Sequence, residues 1–117
     1  MEFYYDDVDR DVLILRADGG IDGSIGDNLV GELQRMVEAG ARKMIVDCSR
    51  LGHISSSGVG VLMRLHRKLW AVGGDVKLAA VPGTVFRLLE LTKLAELFDI
   101  FPTVDAALEA FREAAGQ

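Results

Sequence analysis

Three consecutive hydroxyls, Ser55-Ser56-Ser57, stand directly before Gly58-Val59-Gly60 and an apolar helical stretch. The first turn of a helix has unpaired N–H groups and about half a positive charge. A serine placed there can cap the helix, or it can carry a phosphate that the helix end favours. One cap accounts for one serine and leaves two. Glycines at 58 and 60 keep the helix entrance narrow and its backbone accessible. A phosphoserine brings a charge of about −1.5 to −2. Near a first turn it gains roughly 0.3–1 kcal/mol from the helix dipole. Modification at this position would therefore leave the fold intact and turn a small uncharged patch into a hydrated dianion. The spacing alone admits both plain capping and such a switch.

Other chemistry finds less support. An α/β serine hydrolase needs G-x-S-x-G, where the glycines permit a strained turn; here Ile54 precedes the serines, so the leading glycine is missing. His53 lies in the same loop and His66 on the following helix, and both read as surface or partly buried histidines. Gly58-Val59-Gly60 supplies half of a dinucleotide fingerprint, and no phosphate-loop motif occurs. One cysteine and two separated histidines match no structural-zinc spacing. Cys48, the single cysteine, follows a strand and reads as a small packed hydrophobe. Carboxylate pairs such as Asp6-Asp7 read as solvated turn residues. The expectation is a chain without catalysis, metal or cofactor.

The elements that must hold the serines follow from hydrophobic periodicity. Phe3 to Tyr5 and Val12-Leu13-Ile14-Leu15 read as two strands of a hairpin across the polar turn Asp7 to Asp11, and Gly19-Gly20 as a break. Ser24 is a candidate N-cap for a helix with Ile25, Leu29, Leu33, Met36 and Val37 on one face, closed by Gly40. Lys43 to Asp47 is a strand, Ser49 to Ser57 a loop, and Gly58 to Val72 a second helix with Val59, Leu62, Leu65 and Leu69 inward. Val76 to Ala79 is the next strand. Pro82 opens a third helix to Leu91, Leu97 to Phe101 is a short strand, and Thr103 caps a last helix carrying Val104, Ala107, Leu108 and Phe111. The order β-β-α-β-α-β-α-β-α predicts an α/β fold, a mixed and largely parallel sheet with helices packed on it, in one domain over 1–117. Trp70, Met36 and Met63 read as core or edge packing, with exposed residues marking an interface as the alternative.

At 117 residues the chain can bury enough surface to fold unaided. Acidic residues outnumber basic ones 18 to 13, for a formal charge of −5. This argues against nucleic-acid binding, which rests on Lys and Arg meeting phosphates. The acidic start MEFYYDDVDRDV has no apolar signal region, and no apolar run approaches the ~20 residues of a membrane span. The chain is expected to be cytoplasmic and, with nothing demanding more, a monomer.

The motif Ser55-Ser56-Ser57-Gly58-Val59-Gly60-Val61-Leu62 resembles that of STAS domains of the anti-sigma factor antagonist group, whose pattern is D-S-[ST]-G-[LV]-G-V-L. The likeness continues through Gly20-Ile21-Asp22, through Lys43 to Asp47 with Leu51, and through Val72-Gly73-Gly74-Asp75-Val76. It extends to Pro82, Val85, Arg87 to Leu89, Leu91-Thr92 and Leu94. The resemblance implies phosphorylation at Ser56, with Ser57 and then Ser55 as lesser acceptors. It implies a partner surface of Asp22, Ser55, Ser56, Ser57, Gly58 and Val59. It further implies a partner-switching cycle. The unmodified domain binds an anti-sigma factor that is also a serine kinase using ATP and magnesium; phosphate breaks the complex, and a metal-dependent serine phosphatase restores it. Ser55 departs from the group's aspartate. That departure keeps an alternative open, a constitutive structural subunit of a lipid-transport or stress-signalling complex.

Overall fold

A computed structural model describes residues 1–115. Its five strands are β1 (Glu2–Tyr5), β2 (Val12–Ile21), β3 (Lys43–Ile54), β4 (Asp75–Ala79) and β5 (Asp99–Phe101), and they form one sheet in that order. β1 runs antiparallel to β2, and all later pairs are parallel. The helices are α1 (Gly26–Glu38), α2 (Ser56–Trp70), α3 (Gly83–Leu91), α4 (Leu94–Leu97) and α5 (Val104–Ala115). The mixed, largely parallel α/β architecture read from the sequence is the one found.

Burial explains the unbroken apolar run of β2. Leu13, Leu15 and Ala17 join Met44, Val46 and Leu78 under α1 to α4, while Val12 and Ile14 join Ile45 and Ala79 under α5. A strand covered on both faces has no polar side to alternate with. Cys48 belongs to this interior, where burial pushes its thiol up to about 12 and makes it inert at neutral pH. Lys77 is the charged exception on the α5 side. Its ammonium lies 4.7 Å from the centre of the Phe111 ring and reaches Asp75 at 3.3 Å and Asp99 at 3.1 Å.

Five local expectations are corrected. Gly19-Gly20 does not end β2: the strand continues to Ile21 through register shifts, and β3 continues beside it to Ile54, so residues 49–54 are strand and not loop. Gly19 takes φ +74°, and a Cβ on Gly20 would stand 2.2 Å from Cε1 of His53. These glycines mark a bulge and a close approach. Asp22, not Ser24, is the capping residue. Its carboxylate accepts from the Ser24 N–H at 2.8 Å and opens a single 3-10 turn, Gly23–Ile25, ahead of α1. Pro82 stands one residue before α3, and Leu94–Leu97 is helical, which leaves only Asp99–Phe101 as strand. Gly40 at φ +111° and Thr103, whose Oγ1 accepts from the Ala106 N–H at 3.0 Å, close and open their helices as read.

His66 is 7% exposed, packed between the Trp70 ring and Phe98, and its Nε2 has no hydrogen-bond partner among the described residues. Desolvation holds its pKa below the ordinary 6.5, against a smaller upward pull from Asp75. As pH falls through 6.5 the unfolded chain therefore takes up this proton before the folded one does. The stability present above that pH is then progressively lost. Urea unfolding is expected to show a lower midpoint at pH 5.5 than at 7.5. His66→Phe, which keeps the ring and removes the titration, is expected to shrink that difference.

Candidate functional site

The site forms where β2 and β3 end side by side. Ile21 is paired with Ile54 in the parallel ladder, so the chain leaving β2 and the chain entering α2 emerge together. Ser55 caps α2: its extended backbone turns the chain, and its Oγ accepts from the Gly58 N–H at 3.0 Å. Its own N–H donates to the Ile21 carbonyl at 3.1 Å. Ser57 reaches across to the other segment, where its Oγ accepts from the Gly23 N–H at 3.0 Å. The two hydroxyls lie 2.9 Å apart.

Two backbone N–H groups point into this pair, and the Ser55 hydroxyl has two acceptors in reach, the Ser57 oxygen at 2.9 Å and the Ile21 carbonyl at 3.4 Å; either serine can donate to the other. Ser55 and Ser57 thus spend their hydroxyls clasping the 3-10 turn to the first turn of α2. Ser56, the first residue of that helix, is exposed, and its hydroxyl makes no hydrogen bond among the described residues.

Asp22 flanks the clasp and is exposed. The Ser24 hydroxyl, then the Ser24 N–H, holds its carboxyl below the usual carboxylate range, and His53 adds a weaker pull. A fixed negative charge therefore stands on the segment that Ser57 grips. Gly58 and Val59 are buried, which corrects their place in the expected partner surface. A Cβ on Gly58 would lie 2.0 Å from the Ile21 oxygen, so this residue sets how closely α2 approaches β2. Both residues serve the site from beneath. His66 follows Ser56 by ten residues, about 15 Å along one helix, and is packed away between aromatic rings. It cannot act as a base on that hydroxyl.

A model of the STAS domain matches residues 6–107. The chain belongs to the STAS domain family. Among curated proteins, this STAS domain is 28% identical over 114 residues to BtrV of Bordetella bronchiseptica, described as a candidate anti-sigma factor antagonist, with 97% of each chain covered. Among solved structures, the unphosphorylated form of the anti-sigma factor antagonist SpoIIAA superposes with a TM-score of 0.80 at 25% identity, covering 96% of this chain and 97% of that one. The phosphorylated form of SpoIIAA from Bacillus gives 0.72 at 23% identity, covering 94% and 99%. A sulfate transporter family protein from Wolinella succinogenes shares the fold, at TM-score 0.80 and 17% identity, over 92% of this chain and 89% of that one. The domain is of the anti-sigma-factor-antagonist-like kind. No helix among the described residues is long and apolar enough to cross a membrane.

The STAS fold brings Asp22, Ser55, Ser56 and Ser57 to one junction, as the motif had suggested. The sequence had no signal for the Gly23 N–H and the Ile21 carbonyl, the two backbone groups that hold the clasp from the other side. Each lies 34 residues from its serine. A backbone donor carries no side-chain type to read.

Proposed function

We propose that this STAS domain is a partner-switching module that binds an anti-sigma factor through the surface around Ser56 and releases it when Ser56 is phosphorylated. One observation carries the reading: of the three serines, Ser56 alone has an exposed hydroxyl that no bond among the described residues occupies, at the first position of a 15-residue helix. A kinase needs a free nucleophilic oxygen that can be presented without unmaking structure. Phosphate on Ser55 or Ser57 would instead break the clasp between the 3-10 turn and α2. The likeness to antagonists supports the partner class, and a relative solved in phosphorylated form supports the kind of modification. The partner in this scheme is an anti-sigma factor that is also an ATP- and magnesium-dependent serine kinase, and a serine phosphatase resets the domain.

Incubation with such a kinase and Mg-ATP, followed by mass-spectrometric site mapping, is expected to give a single phosphate on Ser56. Ser56→Ala is expected to give none. Phosphate mapped to Ser55 or Ser57, or its absence from all three, refutes the assignment.

A further inference from the structure

Gly58 and Gly60 stand two residues apart in the same motif, on different faces of α2, and have opposite reasons to be glycine. The first is demanded by the Ile21 backbone beneath it. The second has a helical backbone, and a Cβ added to it would meet nothing within 4 Å. Glycine is a poor helix former, so nothing inside the chain calls for it at 60. Starting from Ser56, steps of four, three, four and three lead through Gly60, Met63 and Arg67 to Trp70. Residues at that spacing share one face of a helix. The face is open: Ser56, Arg67 and Trp70 are exposed, and Gly60 and Met63 half-buried. Trp70, expected from sequence to pack away, is 61% exposed. Its ring stacks on His66 with centroids 5.3 Å apart, which holds it in place at the surface. Arg67 makes no ion pair among the described residues, although the chain is acidic overall. Gly31 in α1 has similar open space, but no aromatic residue continues its face.

We propose that this face of α2 seats one helix of the anti-sigma factor. The two backbones cross closest at Gly60, a carboxylate of the partner meets Arg67, and Trp70 is the anchor at the far end. The occupant is a helix because the stripe repeats at four and three residues, the spacing of a helix–helix seam, and because bare backbone at mid-stripe admits a close crossing. Tryptophan, methionine and arginine are the residue types that interfaces enrich, and a ring already immobilised loses little freedom on binding. The inference rests on the proposed function and extends its surface about 21 Å along α2 from Ser56.

The test is calorimetric titration of the purified kinase that modifies Ser56, with each variant's melting temperature measured alongside. Trp70→Ala is expected to weaken binding about 30-fold and Gly60→Leu about tenfold or more. Gly60→Leu is also expected to melt no lower than wild type, since its side chain enters open space and removes a helix-breaking residue. Arg67→Glu is expected to weaken binding, most strongly at low salt. Val8→Ala, at a residue 80% exposed in the β1–β2 turn, is expected to change nothing. If Gly60→Leu, Arg67→Glu and Trp70→Ala all bind like wild type while Ser56→Asp does not, the stripe is overturned and the proposed function stands. A wild-type chain that the kinase does not bind overturns both.

Discussion

Ser56→Asp is expected to weaken binding of the anti-sigma factor at least tenfold, while Ser56→Ala stays within about twofold of wild type. The asymmetry follows from what the hydroxyl does at home. It accepts and donates nothing among the described residues, so alanine removes no internal bond and leaves the Ser55–Ser57 clasp in place. Aspartate leaves the fold equally intact, because an acid at the first turn of a helix is favoured by the dipole. The cost appears only in the complex, where the carboxylate must shed its water and meet whatever like charge the partner presents. A true phosphate carries nearly twice that charge. Taking a complex from 99% formed to 1% needs about 10⁴-fold in differential affinity, or 5.5 kcal/mol, which lies within the several kcal/mol that a buried dianion costs. Calorimetry on the two variants decides the matter. Equal affinities would mean that charge at Ser56 is not the switch. A difference that fades in high salt would place most of it in repulsion from exposed charges of the partner.

What the sequence made legible was whatever depended on near neighbours. The apolar run Val12–Leu15 announced a strand, and the i, i+3, i+4 pattern from Val59 to Leu69 announced the inner face of α2. The serine run, too, was visible as chemistry looking for a role. What stayed hidden depended on pairing at a distance. Gly19-Gly20 looks like a break because glycine pairs interrupt strand patterns, and its partners Leu51 and His53 look like loop; each segment is a strand only because the other is. Three equivalent hydroxyls became unequal through Gly23 and Ile21, groups with no side-chain signature. Trp70 failed differently. Its type argued for burial, and only the packing of His66 and Phe98 beneath it turned the indole outward.

The same distance-dependent geometry predicts the largest stability effect. Gly58→Ala is expected to cost about 2–3 kcal/mol, near the upper end for an overpacked site. The added methyl would stand 2.0 Å from the Ile21 oxygen, 2.6 Å from its carbonyl carbon and 2.9 Å from Cγ1 of Ile54. The first two obstacles are backbone, and backbone in a ladder cannot swing aside as a side-chain tip can. That carbonyl also accepts from the Ser55 N–H and the Ser55 hydroxyl. Relief must therefore come from α2 lifting off the end of β2, which strains the clasp as well as the packing. Alanine's better helix propensity returns at most about 1 kcal/mol. For a chain of this size the net loss corresponds to a melting temperature lower by about 10 °C. Because the displaced turn carries Ser56, the variant is also expected to bind the anti-sigma factor more weakly while unmodified and still folded, at a temperature well below its melt. Thermal unfolding and calorimetry on the one variant check both effects. A Gly58→Ala protein as stable as wild type would mean that α2 does not lie against β2 as closely as described, and the reason for a glycine at that position would be gone.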